Sequence, residues 1–236
     1  MDERAAFAAV VIVLTSGCGW QMLPGDFGVS PATAHRRFTA WTEAGVWRRL
    51  HRAVLDELGA RGEIDWTSAI VDAASVRAKQ RGSLTGPNPV DRGKKGSKLH
   101  VLSDARGLPL VVAASGANVH DTNAPRPLIS GIPAVRSRRG PRRRKPGKLR
   151  ADKAYHSAAH RRWFRMHGIV PRIARPGVES GERLGRRRWK IERTIAWLFG
   201  YRRLTVRYER KGNHFLAFLG FAAALTRYKK LAKLTT

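Results

Sequence analysis

Three acids in this sequence have the residue type and setting to do chemistry together: Asp72 at the end of WTSAIVD, Asp152 at the end of LRAD, and Glu192 within WKIERTIAWLF. Asp152 lies 80 residues after Asp72, and Glu192 a further 40 on. Carboxylates brought to one point repel, and each holds its proton more tightly unless a cation neutralises it. Magnesium can do so: it takes oxygen ligands octahedrally, keeps several waters and accepts phosphate oxygens. Two such ions about 4 Å apart stabilise the attacking and leaving oxygens of an in-line phosphoryl displacement. The three acids therefore read as a site for metal-assisted phosphoryl transfer, provided the fold makes them converge.

Convergence depends on the elements that carry them. TSAIVDAASVRA, SKLHVLSDARG and LPLVVAASGANV are short runs rich in Val, Ile and Leu, bounded by Gly and Pro, and read as strands. The last two are joined by Asp104-Ala105-Arg106-Gly107, a hairpin turn in which Asp104 serves as a turn former. The polar loop KQRGSLTGPNPVDRGKKG, with Lys94 and Lys95, separates the first two. Next come a short helix over APRPLISGI, a strand ending near Asp152, a helix over SAAHRRWFRMHG, a strand over IVPRIARP, and two closing helices. On a wheel turning about 100° per residue, Glu192 falls with Arg188, Trp189, Ile195, Ala196, Phe199 and Arg203, while Lys190, Thr194 and Trp197 lie opposite. That phase points the carboxylate toward the protein body. Two readings remain open at this point: an ion pair with Arg188 one turn back, or a metal ligand.

Residues 1–62 have a helical pattern of their own. Ser30-Pro31 offers a cap followed by proline at the first helical position, and the helix PATAHRRFTAWTEAG closes at Gly45. Arg36, Arg37, Arg48 and Arg49 on these short helices suit a helix-turn-helix DNA-binding module as well as a plain packing domain. The expected division is a helical domain over 1–62 and an α/β domain over 63–236, a mixed sheet with flanking helices. The apolar runs Ala5–Leu14 and Phe215–Leu225 read as buried helices; the second is too short to span a bilayer. No membrane partner is expected.

Charge points to the partner. Lys+Arg 46 against Asp+Glu 17 leave a net +29 spread through segments that also look folded, so a polyanion, nucleic acid first, is the natural ligand. Residues 136–150, RSRRGPRRRKPGKLR, hold nine basic residues and no acid, and Arg142, Arg143 and Arg144 at their centre would grip phosphates without reading sequence. One cysteine, Cys18, excludes an internal disulfide and a cysteine-rich zinc site, and suits a reducing cytoplasm.

GCGWQMLPGDFG, IVDAASVRAKQRG, TGPNPVDRGKKGSKLHVLSDARGLPL, GANVHDTN, ADKAYHS and RRWKIERTIAWLFGYRRLTVRYER together resemble the bacterial insertion-sequence transposases of the insertion sequence five group, in the DDE superfamily, from about Gly17 to Tyr228. The resemblance implies an RNase H-like mixed sheet. It also implies that Asp72, Asp152 and Glu192 are the catalytic triad, holding magnesium or manganese, two ions in all, and cutting and joining double-stranded DNA at transposon ends. The family's Arg-x3-Glu pattern falls on Arg188 and Glu192, which makes Arg188 a neighbour that contacts DNA or orients the acid. A dimer that synapses two DNA ends, working at the bacterial nucleoid, follows by analogy. There are two departures: such proteins usually begin with another helical stretch before the one that starts this sequence, so an incomplete N-terminal DNA-binding region is expected, and the lysine that related elements place seven residues after the glutamate is Phe199, with Arg202 and Arg203 the nearest substitutes.

Other candidates rank lower. His120-Asp121 serves a turn or lies near the active site. Glu209, in RYER, could replace Glu192, but its segment reads as surface. Trp189 and Trp197 read as core aromatics rather than base-stacking platforms. His156 and His160 lack the glutamate of a HExxH zinc site. The rival from another class is a DNA-binding remnant or repressor without catalysis; a basic RNA-binding protein would explain the charge but not the three acids.

Overall fold

The computed structural model describes residues 2–174 and 181–234, and for residues 181–188 the backbone alone. The first helix, α1 (Glu3–Ser16), is capped by Asp2, whose carboxylate accepts from the Arg4 amide at 2.8 Å, and it ends at Gly17 in the left-handed region. Ser30 caps α2 (Pro31–Glu43) in the same way, with Pro31 at its first position. Gly45, at φ 68°, then breaks the chain between α2 and α3 (Val46–Ala60).

Seven strands follow: β1 (Ala69–Ala78), β2 (Gly86–Pro87), β3 (Lys95–Asp104), β4 (Pro109–Gly116), β5 (Lys148–Ala151), β6 (Val170–Ile173) and β7 (Val206–Arg207). Four more helices are α4 (Pro125–Ser130), α5 (Ala158–Met166), α6 (Gly181–Phe199) and α7 (Gly212–Ala232). β1 is central: it pairs antiparallel with β3 and parallel with β5. β3 carries β4 antiparallel on its far side, and β5 carries β6 parallel. The result is the mixed sheet with flanking helices expected of an RNase H-like domain. The strands anticipated from hydrophobic runs are all present; the two-residue β2 and β7, with no apolar run of their own, are additions.

The tight turn between β3 and β4 forms because the Asp104 carboxylate accepts from the Arg106 and Leu108 amides at 2.9 and 2.8 Å, the turn-forming role expected of it. Its other oxygen accepts from the Asp65 amide at 2.9 Å, which ties down the chain entering β1. Burial of this carboxylate holds its pKa above the usual value, against the pull of those three amides.

Each sheet face has its own core. Ile70, Val76, Leu99 and Val101 point to one face and pack with α1, α2, α6 and α7 through Val10, Phe38, Ile191 and Phe218. Val71, Leu102, Leu149 and Ala151 point to the other, under the second half of α3, α4 and α5. Helices of residues 1–62 thus contribute to both cores. Both long apolar runs are buried helices, and no helix among the described residues is long and apolar enough to cross a membrane.

Candidate active site

The register between β1 and β5 carries the site. Ala69 lies opposite Leu149 and Ile70 opposite Arg150. The ladder ends there, and its register carried two residues further along both chains would bring Asp72, within β1, level with Asp152, just past the end of β5. Side chains alternate along a strand, so in-register residues of parallel neighbours share a face. For Asp72 this is the face of Ile70 and Val76, the one α6 covers. Asp72 is half-buried, and one oxygen accepts from the Ala73 amide at 2.8 Å. Asp152, also half-buried, caps the short turn Lys153–Tyr155 by accepting from the Ala154 amide at 2.7 Å. Amides spend one oxygen of each carboxylate on holding it in place.

The third acid corrects the expected helix phase. The face α6 buries is Ile191, Thr194 and Leu198; Glu192 is exposed, as are Trp189, Ala196 and Trp197. The wheel places Thr194 on the solvent side because it treats a hydroxyl as polar. In the fold that hydroxyl donates to the Gly107 carbonyl at 2.5 Å, so threonine can be buried at no polar cost. Lys190 donates to the Ala105 carbonyl at 2.9 Å and Arg193 to the Arg106 carbonyl at 2.8 Å. Three side chains of α6 thereby clamp it to the turn between β3 and β4, and Glu192 stands on the open flank of a helix lying over the face of Asp72. Among the described residues no group of three His, Cys, Asp or Glu side chains forms a metal-holding cluster. The continued register of the sheet would bring the two aspartates level, and the glutamate comes from a separate element.

Other expectations are also corrected. Trp189 and Trp197 are not core aromatics: they are 49% and 40% exposed, and the Arg193 guanidinium lies between them, 4.7 and 4.6 Å from the two ring centres. Glu209 is not on a surface segment; it is buried and accepts from the Arg203 guanidinium at 2.7 Å. Arg203 is itself buried, also donates to the Cys18 carbonyl at 2.6 Å, and is therefore no ready contact for DNA. The side chain of Arg188 lies outside the described residues.

The remaining basic candidates are at the surface. Arg36, Lys94, Lys95, Arg144 and Arg202 are exposed. Arg37 pairs with Glu3 at 2.9 Å, Arg142 with Asp56 at 2.8 Å, and Arg143 lies over the Trp66 ring. Exposed pairs of this kind contribute about 0–1 kcal/mol, so they can be exchanged for phosphates.

His120 caps the turn Asp121–Asn123, which packs against the turn Lys153–Tyr155 directly after Asp152; the pair thus forms a turn and also borders the site. Beside it is a group that the sequence reading missed. Asp121 pairs with Lys98 at 2.9 Å, and buried His100 bonds Ser115 at 2.8 Å. HDTN was the only signal of it, because the partners on β3 and β4 are distant in sequence.

Comparison with known proteins gives these residues a setting. A family model described as "Transposase DDE domain" matches residues 67–227, and one described as "Putative transposase of IS4/5 family" matches residues 1–51. The chain is 44% identical over 149 residues, 63% of its length and 71% of the other's, to a putative transposase for insertion sequence element IS402 of Burkholderia cepacia. It is 40% identical over 90 residues, 38% of this chain and 61% of the other, to an uncharacterized 16.2 kDa protein of the same element and organism. Among solved structures, the Mos1 strand transfer complex overlaps 94% of this chain and 77% of its own at 11% identity and TM-score 0.30. With the DDE domain matched across both aspartates, the glutamate and the sheet between them, this chain belongs to the DDE transposases, in the IS4/5 group.

Proposed function

We propose that Asp72, Asp152 and Glu192 are the catalytic carboxylates with which this transposase cuts and joins DNA at the ends of an insertion sequence. The observation that supports this reading is the parallel register of β1 and β5, Ile70 opposite Arg150, whose continuation points Asp72 and Asp152 toward each other on the face of Ile70. All three are hard oxygen donors, the set that suits divalent magnesium or manganese, and two aspartates leave room for phosphate oxygens and water to complete the shell. The bound ions, two in our reading, supply Lewis-acid stabilisation of the attacking and leaving oxygens. Asp72 and Asp152 hold the scissile phosphate's surroundings rigidly, since backbone amides orient each of them. Glu192, on the open flank of α6, closes the site from the side on which DNA arrives.

No enzyme nucleophile is required. Water attacks phosphorus, the bond to the 3′-oxygen breaks and that oxygen takes a proton, leaving a 5′-phosphate; the freed 3′-hydroxyl then attacks a target phosphodiester and displaces the target strand's own 3′-oxygen, which is protonated in turn. We assign phosphate contacts to Arg36, Arg37, Lys94, Lys95, Arg142, Arg143, Arg144, Arg188 and Arg202, and end recognition to the helices of residues 1–62, with two copies joining two ends. The working compartment on this reading is the cytoplasm, at the chromosome.

The test is cleavage of a labelled duplex bearing the element's terminal repeat, with magnesium or manganese, by the native chain and by Asp152→Asn. The expected result is metal-dependent cutting at the repeat end by the native chain and a loss of more than about 1,000-fold in the variant, with DNA binding retained. Binding without cutting by either protein would sink the assignment.

A further inference from the structure

Away from the acids, α3, α7 and β4 enclose a cleft of about 810 Å3. Its floor is apolar: Trp47, Leu110, Val112, Leu216 and Ala217 line it. Its rim is cationic, with Arg48, Arg49 and Arg52 all exposed along one side of α3 and a single acid, Glu43, at one end. β4 pairs with β3 alone, and Val111–Ser115 are each partly exposed, so its outer edge has no strand partner among the described residues. An open edge is a template for another strand.

A second observation lies behind the cleft wall. Arg227 of α7 is fully buried, and among the described residues no carboxylate pairs with it. Its guanidinium meets the His51 ring, with Nη2 3.0 Å from Nε2 and 3.3 Å from Nδ1, and that Nε2 lies 2.9 Å from the Leu110 carbonyl oxygen of β4. Arg227 Nε has no partner. Its burial outweighs the pull of the Asp104 carboxylate, and desolvating a cation in this way is costly. It sits against His51, which lines the cleft, so an anion seated there would add to the field of Asp104.

We propose that this cleft docks an extended acidic segment of another protein, laid along β4 as an added strand. Alternate residues of such a segment face opposite ways, so one set rests on Val112 and Leu216 while the other presents carboxylates to Arg48, Arg49 and Arg52. The apolar floor disfavours a phosphate backbone, and a net charge of +29 disfavours a second copy of this chain.

The probe is a fluorescent decapeptide of alternating valine and glutamate, titrated with the full chain at near-physiological salt and followed by anisotropy, beside an all-glutamate peptide. We expect the alternating peptide to bind at least about ten-fold more tightly than the other. Leu216→Asp and Arg52→Glu, both at exposed positions, should each remove that preference, and Leu216→Asp, on α7 and away from the helices assigned to end recognition, should leave binding of the terminal-repeat duplex unchanged. Equal binding of both peptides, or indifference to Leu216→Asp, would mean general attraction to a basic surface and overturn the proposal. Displacement of the peptide by the duplex, with Leu216→Asp weakening both, would reassign the cleft to DNA. Self-association that Leu216→Asp abolishes would make it an interface between copies.

Discussion

Glu192 and Glu209 lie 17 residues apart, and their surroundings separate their roles. Glu209 is buried against Arg203, whose guanidinium is also fixed to the Cys18 carbonyl. Removing one partner of a buried pair strands the other charge at a cost of about 3–5 kcal/mol. Glu209→Ala should therefore lower the urea midpoint sharply. Glu192→Gln, at an exposed position, should leave the unfolding free energy within about 0.5 kcal/mol of native and abolish cutting. Cutting by Glu192→Gln at the native rate would exclude it as the third catalytic acid. A sequence reading that weighs only residue type puts the two acids in competition; burial distinguishes them.

On the proposed assignment of Glu192 the element on which activity turns is α6, and what holds it is the hairpin turn between β3 and β4. Gly107 there has φ 91°, and a Cβ would meet the Lys190 carbonyl oxygen at 2.9 Å and the Thr194 hydroxyl at 3.0 Å. Gly107→Ala should cost about 2 kcal/mol or more in backbone strain and contact, and displace α6 from the sheet. Thr194→Val keeps the shape but leaves the Gly107 carbonyl without its donor, at about 1–2 kcal/mol. We expect both to slow cleavage more than they weaken DNA binding, because the shift carries Glu192 and leaves the basic surface in place. Single-turnover cleavage beside a binding titration measures this; equal losses in both would deny α6 a positioning role. The strands that position Asp72 and Asp152 were legible as apolar runs. The phase of α6 was not, since it depends on a carbonyl supplied from a turn more than 80 residues away.

Two properties belong to the whole chain, its charge and its response to acid. Phosphate contacts made by a +29 protein release counterions, so log affinity for DNA should fall steeply and linearly with log salt. Arg142→Ala with Arg144→Ala should flatten that slope by about 1–2. An unchanged slope would place residues 136–150 away from the phosphates. As for acid, burial pushes His100 down to about 4, against the pull of Asp121 and with a smaller push from Lys98. Burial and then Arg227 push His51 down to about 3. Both imidazoles are neutral in the fold and titrate near 6.5 when unfolded, so the unfolded chain binds more protons below that value and stability is lost as the pH drops. Between pH 7 and pH 5 His100 alone should cost about 2 kcal/mol. His100→Gln, compared with the native chain by urea denaturation at the two values, should lose that part of the dependence.

Composition, strand runs, turn chemistry and the positions of Asp72 and Asp152 depend on local pattern, and local pattern is written in the sequence. Apolar runs put Asp152 at a strand end, as in the fold, and Asp72 at another, whereas β1 continues past Asp72 to Ala78; Asp104-Ala105-Arg106-Gly107 announced the hairpin that joins β3 to β4. Tertiary contacts settled the rest: which neighbour β5 chose and in what register, the burial of Thr194, Glu209 and Arg203, and the exposure of Trp189 and Trp197 around Arg193. Each of these turns on a hydrogen-bond partner or counter-charge from a distant part of the chain. A polar side chain is buried where such a partner meets it and exposed where none does.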